Sequence, residues 1–133
     1  MKTKTSELTG PALRYIVAEI EGHESRCAWM IKDGWAVWQA YESAWGSPIP
    51  NYDTDWSQGG PIIERERLTV AAEGDPRSPV WVSSLTYPAK VTYVVGTAMR
   101  FCSMRGPTPL IAAMRCYVAS KLGDEVDVPE ELL

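Results

Sequence analysis

Apolar positions recur with helical spacing in two places. Near the start, Leu13, Ile16, Val17 and Ile20 fall at i, i+3, i+4 and i+7, the spacing of one buried helix face. Thr9 stands where an N-cap belongs, Pro11 suits the first turn, and Gly22 is placed to stop the helix. Leu8, just before the cap, can staple onto Leu13. The second stripe is Leu110, Ala113, Met114, Tyr117 and Val118, continued by Leu122, with Arg115 at its border. Thr108 and Pro109 open that helix and Gly123 closes it.

Between these stripes the pattern shortens. Cys27–Ile31 and Trp35–Tyr41 are rich in strand formers, and Lys32-Asp33-Gly34 between them predicts a hairpin, because Asp-Gly accepts positive φ cheaply. Residues 43 to 55 read as a long loop carrying Trp45 and Tyr52, and loops of that length are often functional. Gly59-Gly60-Pro61 opens a short segment through Arg67, read as a helical turn. Further strands are expected at Leu68–Ala72, Val80–Leu85, Val91–Val95 and Thr97–Ser103. The expected fold is a single α+β domain over 1–133, with a mainly antiparallel sheet of four to six short strands. Two main helices, about 9–21 and 108–122, pack against that sheet, and an acidic tail runs from about 124.

Composition narrows the class. The chain has 133 residues, 45% of them hydrophobic and 23% charged, too apolar for a disordered segment. No apolar run approaches the roughly 18 residues of a membrane span, and the polar start lacks a signal peptide's apolar stretch, so a cytoplasmic location is expected. The net charge of -4 argues against a general nucleic-acid coat. It hides a segregation, however. Residues 77 to 123 hold Arg77, Lys90, Arg100, Arg105, Arg115 and Lys121 and no acidic residue, whereas acids outnumber bases on both sides. Such a segment is either a solvated face balanced by its acidic flanks or a focus for an anion.

Two Gly/Pro punctuations favour the anion. Gly59-Gly60-Pro61 and Gly106-Pro107-Thr108-Pro109 each read as a helix start, where free amides bind anions. Neither is a Walker A loop nor a dinucleotide fingerprint, so no cofactor is expected. Of the six Trp, Trp29, Trp38 and Trp81 sit in strand-like runs and read as core. Trp45 and Trp56, in or beside the long loop, are the candidates for stacking on a ligand. Cys27, Cys102 and Cys116 form no C-x-x-C pair and read as small buried hydrophobes. A zinc site with His23 is the alternative, and no metal is expected. With one His, catalytic constellations are thin; the clustered acids Asp53, Asp55, Glu64 and Glu66 are the remaining metal or acid candidates.

Two stretches carry a family resemblance: Trp56-Ser57-Gln58-Gly59-Gly60-Pro61-Ile62-Ile63-Glu64-Arg65-Glu66, and the segment from Thr108 to Val126. Together they resemble the NinX-type phage proteins, as does the opening Ser6-Glu7-Leu8-Thr9-Gly10. Residues 70 to 105 and the loop at 41–54 lie outside these stretches. The resemblance implies a phage or prophage accessory protein of an infected bacterium's cytoplasm, and brings no activity or catalytic residues with it.

The leading expectation is a non-catalytic binding protein for a small anionic, nucleotide-like ligand, such as a host signalling nucleotide. Its ligand-binding candidates are Trp45, Trp56, Gly59, Gly60, Glu64, Arg65, Thr108 and Arg115. One alternative is an interaction module for a host or phage protein or for a second copy of itself. The other is a metal-dependent hydrolase or nuclease using Asp53, Asp55 and Glu64.

Overall fold

Helix α3, Pro109–Leu122, is the element around which the chain folds, and its sequence explains why. The large residues Leu110, Met114, Tyr117 and Val118 lie on one side, and Ala112, Cys116 and Ala119 make the other side thin. Every residue from Ala112 to Ala119 is buried, so the predicted stripe is really a helix covered on nearly all sides. Small residues let a sheet approach closely: a Cβ on Gly106 of that sheet would overlap the Ala112 backbone nitrogen. Leu122 departs from the expected stripe and is exposed. Thr108 caps the helix, accepting a hydrogen bond from the Ile111 amide at 3.2 Å. Gly123 ends it at φ +93°, a conformation open to glycine at little cost.

The computed structural model describes residues 1–21, 27–32, 35–40, 46–48, 50–88 and 99–133. The architecture is α+β with antiparallel strand pairing. The sheet beside α3 has the order β5-β6-β7, built from Thr69–Glu73, Val80–Pro88 and Met99–Gly106. Its register pairs Ala71 with Val82 and Ser84 with Ser103. Earlier in the chain, β2 (Cys27–Lys32) and β3 (Trp35–Ala40) form the predicted hairpin, with Lys32 opposite Trp35. The expected strand at Val91–Val95, the turn at Asp33-Gly34 and the Gly22 stop lie outside the described residues.

Helix α1, Gly10–Ile20, buries Leu13, Ile16 and Val17 as its stripe predicts. Leu8 and Leu13 share the same core cluster. Thr9 is the N-cap residue by position, but its side chain makes no capping bond.

Three expectations need correction. The segment after Gly59 is not a turn but the interior of an eleven-residue helix, α2, Trp56–Glu66. Asp55 caps it, its carboxylate accepting from the Ser57 amide at 2.9 Å and the Ser57 hydroxyl at 2.6 Å. The predicted long loop contains β4, Gly46–Pro48, paired with β3, and its later part is pinned by Tyr52, which is buried in the core. The acidic end is not a free tail. Strand β8, Glu125–Asp127, pairs with β1, Lys2–Lys4, and Val126, Val128 and Leu132 are buried in the core.

Contacts between α2 and α3 advance in step. A Cβ on Gly59 would overlap both the Tyr52 carbonyl oxygen and the Leu110 side chain; further on, Arg65 meets Tyr117 and Glu66 meets Lys121. The two helices therefore run parallel, and both start at the same end of the helix layer. That end positions the candidate site.

Candidate functional site

The two arginines singled out by sequence have opposite fates. Arg65 projects from α2 into a ring of partners. Its Nη2 lies 2.6 Å from Glu21 Oε1 and 3.1 Å from the Tyr117 hydroxyl, and its Nη1 lies 3.2 Å from Glu21 Oε2. The Tyr117 hydroxyl donates to the same Glu21 oxygen at 2.9 Å. The guanidinium and the Lys121 ammonium each sit 5.9 Å from the Tyr117 ring centroid. Hydrogen bonding to Glu21 holds the Arg65 pKa above its ordinary value, and burial beside Glu21 raises that of Tyr117. Arg65 thus ties α1, α2 and α3 together, and its charge is already met.

Arg115 is different. It lies on the buried body of α3 and is only 8% exposed. Long helical side chains lean toward the helix N-terminus, and this one reaches back to the segment that precedes α3. Its Nε donates to the Leu8 carbonyl and its Nη1 to the Arg105 carbonyl, each at 2.8 Å. It forms no ion pair with any described carboxylate. Desolvation with no offsetting charge lowers its pKa. A guanidinium has five donors, and Nη2 makes no hydrogen bond to any described residue. Arg115 also lines an open cleft of about 380 Å³ with Ser6, Pro79, Val80, Arg105 and Pro107.

The other bases of the +6 segment are accounted for where they are described. Arg105 makes a two-pronged pair with Glu73, at 3.0 and 2.9 Å; Lys121 is 3.7 Å from Glu66 and Arg77 is 3.6 Å from Asp75. The side chains of Lys90 and Arg100 lie outside the described residues. For Arg105, Lys121 and Arg77 the paired acids come from residues 66 to 75, whereas the C-terminal Asp127 holds the Met1 amino group at 2.7 Å.

The remaining candidates separate. Thr108 stands one residue after Pro107 of the cleft, with its hydroxyl occupied as the cap. Gly59 and Gly60 are inside α2, not at a helix start. Gly59 serves close packing, and Gly60 carries no start-of-helix amide. Glu64 is exposed on the same helix, and Trp56, its first residue, is 56% exposed. Trp45 lies outside the described residues. The structure therefore brings Arg115 and the Pro107–Thr108 turn together, and leaves Arg65, Gly60 and Glu64 elsewhere.

The acids of the hydrolase reading have structural work. Asp53 is 3% exposed and pairs with Arg14 at 2.5 Å; Asp55 caps α2, and its hydrogen bond from Ser57 lowers its pKa. Among the described residues no group of His, Cys, Asp and Glu has the arrangement to hold a metal ion. Cys116 is buried and Cys102 half-buried, each sulfur 3.7 Å from the other's carbonyl oxygen. Burial pushes the Cys116 thiol up to about 12, the mark of an unreactive thiol. Sequence reasoning missed Ser6 and Arg105 as cleft residues. The available signal was Arg115 itself, a cation inside an otherwise apolar run from Leu110 to Ala119.

Among the described residues, no helix is long and apolar enough to cross a membrane. A search of curated proteins found no match. The family described as Bacteriophage P22, NinX, matches residues 4–121, which includes the segments at 41–54 and 70–105 that lay outside the sequence motifs. The chain belongs to this phage protein family.

Proposed function

From this membership of the NinX family and the geometry around Arg115, we propose a non-catalytic protein that binds a small anionic, nucleotide-like ligand. The observation that carries the reading is the buried Arg115 guanidinium, held by two carbonyls and met by no described carboxylate. Removing a cation from water is costly unless an anion or well-aligned acceptors replace the lost hydration. Two neutral carbonyls replace only part of it. An oxyanion in the cleft would complete it with charge-assisted hydrogen bonds, in a geometry fixed before binding.

Trp56 supports the nucleotide-like part. It lies exposed at the start of α2, at the same end of the helix layer as the start of α3. An exposed indole there offers a stacking face for a base. In an infected cell, such binding would withdraw a signalling nucleotide from its receptor.

The test is a thermal-shift and Trp-fluorescence titration of the full chain against nucleotides. A ligand at a hundredfold excess over Kd stabilises by about 2.7 kcal/mol, well within detection. Absence of any shift across mono-, di- and cyclic nucleotides, pyrophosphate and phosphate refutes the reading.

Phe101, 71% exposed on β7, favours a second reading as a protein-interaction surface. A specific partner whose capture fails with Phe101→Ser and survives Arg115→Gln would favour it.

A further inference from the structure

Resting on the anion-binding reading, we infer that the cleft at Arg115 takes a phosphodiester, a singly charged phosphate group, in preference to a phosphate monoester. The inference comes from counting the charge the cleft offers. Arg115 supplies one positive charge with no described carboxylate against it. Arg105, the other cation of the cleft, is already neutralised by its two-pronged pair with Glu73. The remaining lining is Ser6, which brings a hydroxyl, Gly106, and the apolar surfaces of Pro79, Val80 and Pro107. The lining side chains therefore offer one net charge, with Glu7 beside them rather than in the lining.

A phosphodiester carries one negative charge, whereas a monoester at pH 7 carries about 1.5 to 2, because its second pKa is near 6. One charge balances Arg115. A second would rest against prolyl and valyl walls with no cation to meet it, and its desolvation would oppose binding. The donor count agrees. Arg115 has spent two of its five donors on carbonyls, and its Nη2, which has no described acceptor, together with the Ser6 hydroxyl would match the two non-bridging oxygens of a diester. At about 380 Å³ the cleft is in the size range of small-molecule sites, larger than a lone carboxylate needs.

The experiment titrates the full chain by calorimetry with adenosine 3′,5′-cyclic monophosphate and with adenosine 5′-monophosphate, at pH 8.0 and pH 5.5. The base is common to both, so the comparison isolates the phosphate. The cyclic diester should bind at least tenfold tighter at pH 8.0. At pH 5.5, where the monoester is mostly a monoanion, the gap should narrow severalfold through a gain by the monoester alone. Among the described residues no histidine lines the cleft; its charged neighbours there are Arg105 with Glu73, and Glu7, which follows Ser6 in the same exposed turn. The pH change is therefore read from the ligand.

Arg115→Gln should abolish the preference, and Ser6→Ala, at an exposed position outside the core, should weaken diester binding severalfold if Arg115→Gln fails to fold. Equal or tighter binding of the monoester at pH 8.0 overturns the inference while leaving anion binding intact. So does diester binding unchanged in folded Arg115→Gln or in Ser6→Ala, or tighter binding of acetate than of the diester. Binding of neither nucleotide, nor of phosphate or pyrophosphate, overturns the anion-binding reading itself.

Discussion

Replacing Asp53 by alanine should destabilise the fold severely rather than remove a metal ligand. Asp53 is 3% exposed, and its carboxylate lies 2.5 Å from Arg14 Nε, whose side chain is largely buried. Removing one member of a buried pair leaves the other charge desolvated, at a cost of about 3–5 kcal/mol. Arg14 keeps some access to water and a further interaction of its own, which places Asp53→Ala near the lower end, about 3 kcal/mol. For a chain this size, 1 kcal/mol moves the melting midpoint by roughly 3–4 °C, so a drop of about 10 °C is expected by circular dichroism. A double-mutant cycle with Arg14→Met isolates the pair: the double variant should lose clearly less than the sum of the single variants. Mg²⁺ should protect neither parent nor variant. An unchanged midpoint in Asp53→Ala, or a Mg²⁺-dependent stabilisation of the parent that Asp53→Asn abolishes, would refute the structural assignment.

Other positions give independent checks. Gly59→Ala should cost about 1–3 kcal/mol in urea denaturation, because the new methyl overlaps the Tyr52 carbonyl and Leu110, whereas Gly60→Ala, with open surroundings, should be neutral or stabilising. Thr108→Ala should cost about 1 kcal/mol through loss of the cap to the Ile111 amide. Alkaline pH should destabilise the fold from about pH 9 upward. The buried Cys116 thiol is raised from 9.0 to about 12 and the Tyr52 phenol from 10.0 to about 12, both by desolvation. Between each pair of values the unfolded chain has lost a proton that the native state retains, so stability falls as pH rises. The slope is about 1.4 kcal/mol per pH unit for each group. Cys116→Ala should flatten the part of that decline that begins near pH 9, as read from urea midpoints across pH.

What the sequence shows well is punctuation. Thr108, Pro109 and Gly123 frame α3 almost to the residue, and the Asp-Gly between two strand-forming runs places the β2–β3 hairpin. Those signals are local, so they survive without tertiary context. The errors come from non-local causes. Gly59-Gly60-Pro61 looks like a breaker, yet it sits inside α2, because Asp55 caps the helix earlier and Gly59 is needed where α2 crosses the Tyr52 backbone. The C-terminal acids look like a tail, yet Val126, Val128 and Leu132 among them supply enough apolar surface to dock it. A charge count cannot see that alternation. Nor can it see that Ala112, Cys116 and Ala119 allow a second buried face on α3, which turns Arg115 from a border residue into an interior one.

That change of setting decides what the uneven charge means. A basic segment between acidic flanks invites the view that the whole segment attracts an anion. In the fold, Arg77, Arg105 and Lys121 meet Asp75, Glu73 and Glu66, acids that lie just before the segment in the chain. Exposed pairs of this kind contribute little stability and leave little net field. Arg115 is left over, and it is also the cation most removed from water within the segment as described. A surface lysine without a partner has solvent to compensate it. The Arg115 guanidinium, on a buried helix face, has two carbonyls and the mouth of an open cleft. Under the proposed anion binding, Arg115 rather than the segment's total charge is the residue on which function turns.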